Sequence, residues 1–261
     1  MLPTPCTSHV SFDTIYEPSE DSYLFLDTLA SESESTWLKQ RFNANPDSPS
    51  PSPLIVEIGT GSGVVLSFAA ANSHFIFGRR DIIPLGIDVN RNACAATHET
   101  ANKAITERQT AGPKTVYLSS VMADLGSSIR PGSVDVLLFN PPYVPTEELP
   151  RIPCTAEQDE DETGMSRSAK FERDSYFLSL TYAGGRDGME TTDRLLEAIP
   201  GLLDAGRGVA YVLLCAQNRP REVKERIEAW GHGWRADLVG SSGVQAGWEK
   251  LVIVRIWRDV A

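Results

Sequence analysis

Leu54-Ile55-Val56-Glu57-Ile58-Gly59-Thr60-Gly61-Ser62-Gly63 decides how the rest of the chain is read. Leu54–Ile58 is a short apolar strand, and the three glycines at alternate positions make a turn that a ligand can approach closely. A helix is expected from about Ser62 to Ala71. Working outward, Leu85–Val89, Thr115–Val121, Val134–Phe139 and Gly208–Cys215 read as further strands. Between and after them, Asn92–Arg108, Phe171–Tyr182, Met189–Leu203 and Arg219–Trp230 read as helices, with closing strands near Trp234–Val239 and Lys250–Trp257. Strands separated by helices indicate βαβ units around a mostly parallel sheet. The expected fold is therefore α/β and Rossmann-like, with residues 1–261 forming one domain. Upstream, Ser19 can cap a helix whose apolar face is Tyr23, Leu24, Leu26 and Leu29.

Two segments interrupt the alternation. Residues 43–53 are rich in Pro and Ser and have no means of forming a core. Within residues 150–170, the run Glu157 to Glu162 holds five acids in six residues and reads as a solvated loop, or as one that closes over substrate. His74–Pro84 reads as an enlarged loop.

Composition narrows the function. A formal net charge of −11 and a sequence pI near 4.9 argue against unaided binding to nucleic acid, which normally needs a basic patch. Cys6, Cys94, Cys154 and Cys215 form no CxxC pair and the four histidines lack zinc-ligand spacing, so no metal site is expected. With no signal-like N-terminus and no long apolar run, the expected compartment is the cytoplasm, or also the nucleus, without membrane attachment.

The glycine spacing separates two ligand classes. A dinucleotide fingerprint needs glycine at the sixth position of GxGxxG, and counted from Gly59 that position is Val64. The run here is GxGxG preceded by Glu57, which resembles the first motif of class I methyltransferases that use S-adenosylmethionine. Asp88 ends the second strand, where a carboxylate can accept both hydroxyls of a ribose. Asp124, with Leu125 beside it, follows the third strand and can accept from an adenine amino group. Ligands of parallel α/β sheets sit at these strand ends. Asp88 lies 31 residues after Glu57, and the excess is assigned to the loop at His74–Pro84.

Asn140-Pro141-Pro142-Tyr143 directly follows the strand Val134–Phe139. An amide or aromatic amine nitrogen is a poor nucleophile because its lone pair is delocalised, so it needs positioning and stabilisation of its developing charge. The side-chain carbonyl of Asn140 and the backbone carbonyl of Pro141 can accept its two N–H bonds, proline stiffens the backbone, and Tyr143 can pack on the flat group.

Tyr16–Ser22, Glu57–Gly63, Asn140–Val144 and Ala183-Gly184-Gly185-Arg186-Asp187-Gly188 together resemble HemK-type glutamine methyltransferases, the last segment matching their eukaryotic branch. The resemblance runs from about Val10 to the C-terminus. It implies a seven-stranded class I fold with one antiparallel strand, and S-adenosylmethionine contacted by Ser22, Glu57, Gly59, Gly61, Asp88, Asp124, Leu125 and Asn140. It implies an acceptor pocket of Asn140, Pro141, Pro142 and Tyr143. The implied substrate is the glutamine of the Gly-Gly-Gln loop of the class I release factor, presented alone or with its GTPase partner. The implied partner is a small zinc-binding activator subunit, docked on the edge strand at residues 116–121. The exocyclic amine of adenine and histone lysine remain alternative acceptors.

Overall fold

Strand β5 (Val209–Cys215) shows why the sheet is covered on both faces. All its residues are buried. Val209, Tyr211, Leu213 and Cys215 join one apolar cluster, and Ala210, Val212 and Leu214 join the other. Successive side chains of a strand point to opposite faces, so a strand apolar at every position needs helices above and below. The structure, a computed structural model, describes residues 2–42, 50–153, 165–243 and 250–259.

Strands β1 (Leu54–Ile58), β2 (Ile83–Asp88), β3 (Ser119–Met122) and β4 (Val136–Phe139) lie parallel with β5. Strand β7 (Leu251–Arg258) runs antiparallel to both β5 and β6 (Trp234–Ser241). The order β3-β2-β1-β4-β5-β7-β6 makes one seven-stranded sheet, as the resemblance implies. Helices α1 (Glu20–Ala30), α2 (Glu32–Phe42), α3 (Val64–Ala71), α4 (Ser73–Phe77) and α5 (Arg91–Arg108) cover one face. Helix α7 (Glu190–Leu202) and α8 (Pro220–Glu228) cover the other through Leu195, Ile199, Val223 and Ile227. Helix α6 (Arg167–Tyr182) buries only Phe177. The chain leaves β1 toward β2 on one side and has β4 on the other, so a crevice opens at the carboxyl ends of β1 and β4.

Several sequence expectations need correction. The stretch from His74 is not simply a loop: α4 occupies Ser73–Phe77 and ends at Gly78 in the left-handed region, φ +74°. A helical turn therefore accounts for part of the extra length before Asp88. The third strand begins at Ser119, not Thr115; residues before it follow the sheet margin, with the Leu118 amide donating to the Pro84 carbonyl at 2.9 Å. Ser19 precedes α1 but makes no side-chain cap, and Tyr23 is exposed while Phe25 is buried. Helix α2 escaped notice because its apolar positions are few. Residues 43–49 of the Pro/Ser segment, Cys154 and the acidic run 157–162 lie outside the described residues.

What holds α2 is partly electrostatic. Arg255 Nη1 on β7 donates to both carboxylate oxygens of Glu34 at 2.9 Å, and the Tyr211 hydroxyl donates to the same group at 2.9 Å. Arg255 also stacks over Trp37 and Trp257, 4.3 and 4.7 Å from the ring centres. Removing one partner of such a buried pair strands the other's charge. Glu34→Ala is expected to lower stability by about 3–5 kcal/mol in urea denaturation. A loss below about 1 kcal/mol would show that the pair is dispensable.

Candidate active site

The glycine turn after β1 is held by its neighbours. The Thr60 amide donates to the Ile87 carbonyl at 3.1 Å and the Gly63 amide to the Thr60 carbonyl at 2.7 Å. Two of its glycines serve different ends. A Cβ on Gly63 would lie 2.7 Å from Thr97 Cα, so its bareness lets the turn seat against α5. Gly61, at φ +52°, has nothing nearer than 4.0 Å and leaves its backbone open to the crevice. Thr97 and Thr100 on α5 secure the turn, donating to the Gly61 carbonyl at 3.2 Å and the Ser62 carbonyl at 2.7 Å. Neither threonine was singled out from the sequence, because their spacing on a helix carries no ligand signal.

Carboxylates line the strand ends. Glu57 is buried, and its Oε2 accepts from the Thr60 hydroxyl at 2.8 Å and the Leu66 amide at 3.1 Å. Burial pushes its carboxyl up to about 8 against those two bonds, and the nearby Asp88 adds to the rise. Asp88 takes the Gly61 amide on one oxygen and the Asn90 amide on the other, each at 2.9 Å. Burial raises its pKa as well. The Val89 amide also favours the charged form of Asp88, and a carboxylate's four lone-pair sites leave room for a ligand hydroxyl. Asp124 differs from expectation in one respect: its carboxylate is held by Arg194 of α7, 70 residues downstream. Nothing in the sequence spacing pointed to Arg194.

Asn140 and its prolines emerge from β4 beside this turn. A second segment braces them. The Val144 amide donates to the Tyr182 carbonyl at 2.9 Å, and the Gly184 amide to the Val144 carbonyl at 2.8 Å. A Cβ on Gly184 would sit 2.6 Å from the Pro142 carbonyl oxygen, and one on Gly188 only 2.0 Å from that of Tyr143. Asn218 Nδ2 ties the far side of the brace by donating to the Asp187 and Gly188 carbonyls at 3.1 and 3.3 Å. The turn at 183–188, which the sequence marks only as a family signature, is thus the backing of the Asn-Pro-Pro-Tyr segment.

Both halves open into one cavity of about 370 Å³, within the range of small-molecule sites. Ser22, Glu57, Gly59, Gly61, Asp88, Asp124, Leu125, Asn140, Pro141, Pro142 and Tyr143 all line it, so every site residue named from the sequence reaches the same space. Asp21, Asn90, Phe177 and Arg194 line it too, beyond those named. Among the described residues Asn140 Oδ1 is buried with no hydrogen-bond partner. Native structures rarely leave such an acceptor unsatisfied unless a ligand completes it.

The fold and this cavity define a class I methyltransferase, and its donor is S-adenosylmethionine. Its residues fit that donor: an open glycine backbone and carboxylates for hydroxyl and amino groups. When bound, the donor supplies an electrophilic methyl group on a sulfonium centre. No family model matches the chain. The eRF1 methyltransferase catalytic subunit mtq2 of Schizosaccharomyces pombe is 31% identical over 264 residues, covering 99% of this chain and 96% of that protein. Methyltransferase HEMK2 of Mus musculus is 31% identical over 263 residues, covering 97% and 96%. A putative protein N5-glutamine methyltransferase of Methanocaldococcus jannaschii is 28% identical, covering 94% and 92%. A solved structure of the E. cuniculi Mtq2–Trm112 complex matches with a TM-score of 0.52 at 23% identity, over 94% of this chain and 99% of the matched one. The chain belongs to the HemK2/Mtq2 family of protein methyltransferases.

Two outcomes test the geometry. Gly188→Ala must displace the Tyr143 carbonyl, and a misplacement near 1 Å costs transfer roughly 100-fold. Donor affinity, read by calorimetry, is expected to hold; transfer at the parental rate would remove the brace from the catalytic argument. The second concerns pH. Glu57 binds its proton more tightly in the folded chain, at about 8, than at its ordinary 4.5. Its stabilising contribution is thus complete below about 4.5 and disappears as pH rises through about 8. Glu57→Gln should flatten the decline in stability across that window, measured by denaturation at a series of pH values. An unaltered slope would mean that the folded protein holds Glu57 ionised.

Proposed function

We propose that the protein transfers a methyl group to the side-chain amide of the glutamine in the Gly-Gly-Gln loop of the eukaryotic class I release factor. The observation that carries this reading is the unmet Asn140 Oδ1, buried at the wall of the donor cavity. A primary amide offers two N–H bonds in one plane. Asn140 Oδ1 takes one, and the Pro141 carbonyl takes the other. Both acceptors are dipoles fixed in advance, so they favour the nitrogen as it gains positive character and need not reorganise. Tyr143, half-buried against the core, flanks the flat group. The relatives named for eRF1 methylation and for N5-glutamine methylation support the same acceptor.

The reading includes a partner. Val116, Leu118 and Met122 are exposed along the β3 margin of the sheet. A small zinc-binding activator subunit covering them would remove an apolar edge that is otherwise a liability. The naming of a Trm112 complex for the E. cuniculi structure supports a subunit of this kind. The cytoplasm, and also the nucleus, is the proposed location of the pair.

The test is labelled methyl transfer to the release factor and to its Gln-to-Ala variant, with the activator present. Label is expected on the first and absent from the second; equal labelling would overturn the glutamine assignment. Asn140→Ala should lose about 10²–10³-fold in single-turnover rate with donor titration nearly unchanged, the scale for one lost preorganised dipole.

A further inference from the structure

Helix α6 is sixteen residues long and buries only Phe177, so packing against the described residues does not explain its apolar content. Phe171, Leu178 and Tyr182 are all exposed, Phe171 at 72% of its full surface. Their spacings of seven and four residues place them within about 40° of one another around the helix, on a single stripe. Scattered exposed apolar residues are ordinary, but a stripe is not.

Its position gives the stripe meaning. Tyr182, at the C-terminal end of α6, lines the active-site cavity, and so do exposed Val144 and Ile152. The Tyr176 hydroxyl donates to the Arg151 carbonyl at 2.6 Å, which fastens the irregular segment carrying Ile152 alongside the helix. At about 1.5 Å per residue, the stripe runs roughly 16 Å outward from the cavity mouth to Phe171. That is the length of about five residues of extended chain.

We infer that the α6 stripe, continuous with the cavity mouth at Tyr182, is the docking track for the acceptor protein next to its methylated residue. The inference rests on the protein-glutamine reading above and says how the substrate is chosen. A small free amide would have no use for a track this long. A nucleic acid would need a basic track in place of Phe171, Leu178, Tyr182 and Ile152. A folded protein presenting a loop uses both parts: its loop enters the cavity, and its apolar surface covers the stripe. Apolar anchors of this kind supply most of the energy of such an interface.

The test uses the full chain with its activator and the double variant Phe171→Ser/Leu178→Ser. Neither position lines the cavity, and both are exposed. The expected result is a fall of at least about tenfold in kcat/KM for the release factor, carried by KM, because two exposed anchors are lost. Donor affinity by calorimetry should match the parent, and Phe171→Leu should restore most of the loss. Unchanged KM for the release factor overturns the track while leaving the glutamine reading in place. Failure of the parental protein to label the release factor overturns that reading, and the track with it. A sedimentation shift from dimer to monomer in the double variant would assign the stripe to a second copy of this chain and likewise overturn it.

Discussion

Among the described glycines the tightest approach is that of Gly188 to the carbonyl of Tyr143, where even one added carbon would lie 2.0 Å from oxygen. Much of the acceptor site's geometry depends on it. Prolines at 141 and 142 remove two backbone donors and limit the dihedrals, but they do not by themselves say where Asn140 points. The brace from Tyr182 to Gly188 does, by exchanging backbone hydrogen bonds with Val144 on one side and accepting from Asn218 on the other. Stiff chain on a stiff support is what lets a single orphaned acceptor persist.

The donor half of the cavity is built on a different principle, the deliberate burial of acids. Glu57 and Asp88 both have their pKa values raised by loss of water, and both receive backbone amides that favour the charged form. Desolvation is the larger effect at each. The two acids also oppose one another, because the charge on Asp88 makes ionising Glu57 harder. A site arranged like this gains most from a ligand that brings hydroxyls and positive charge together, since each relieves part of the burial cost. Asp124 is treated otherwise. It lies nearer solvent and is paired with Arg194, so its carboxylate is oriented by a cation on the opposite layer rather than by backbone amides.

Much of this was legible in the sequence, and the reasons are particular. Leu54–Gly63 announces a buried strand and a bare turn because both strand and glycine requirements act locally. Glu57, Asp88, Asp124 and Asn140 could be placed in one crevice because each falls at or just beyond the end of a strand, and parallel strands end on the same side. What escaped was set by contacts distant in sequence. Arg194 finds Asp124 only through the stacking of α7 on the sheet, and Thr97 finds Gly61 only through the closeness of α5. Helix α2 has a weakly apolar sequence and is anchored by the Glu34–Arg255 pair across 221 residues, a contact no local pattern announces. Tyr23 looked like a core residue by type, yet the helix turned Phe25 inward and left Tyr23 in water.

The two edges of the sheet are treated unequally, and the inequality has a physical reading. Strand β6 protects its edge with Arg235 and Asp237 and with a register shift between Leu238 and Gly240, features that discourage pairing with another chain. Strand β3 has only its shortness in its favour: four residues, of which Met122 is exposed, preceded by exposed Val116 and Leu118. Exposed apolar side chains are thus more numerous along the β3 margin than on β6, where Leu238 is exposed, and the proposed activator would cover them. The cavity reaches the carboxyl end of β3 through Ala123, Asp124 and Leu125, whereas its mouth at Tyr182 adjoins Val144, beyond the end of β4. On the proposed reading, an activator seated on Val116, Leu118 and Met122 leaves that mouth to the acceptor.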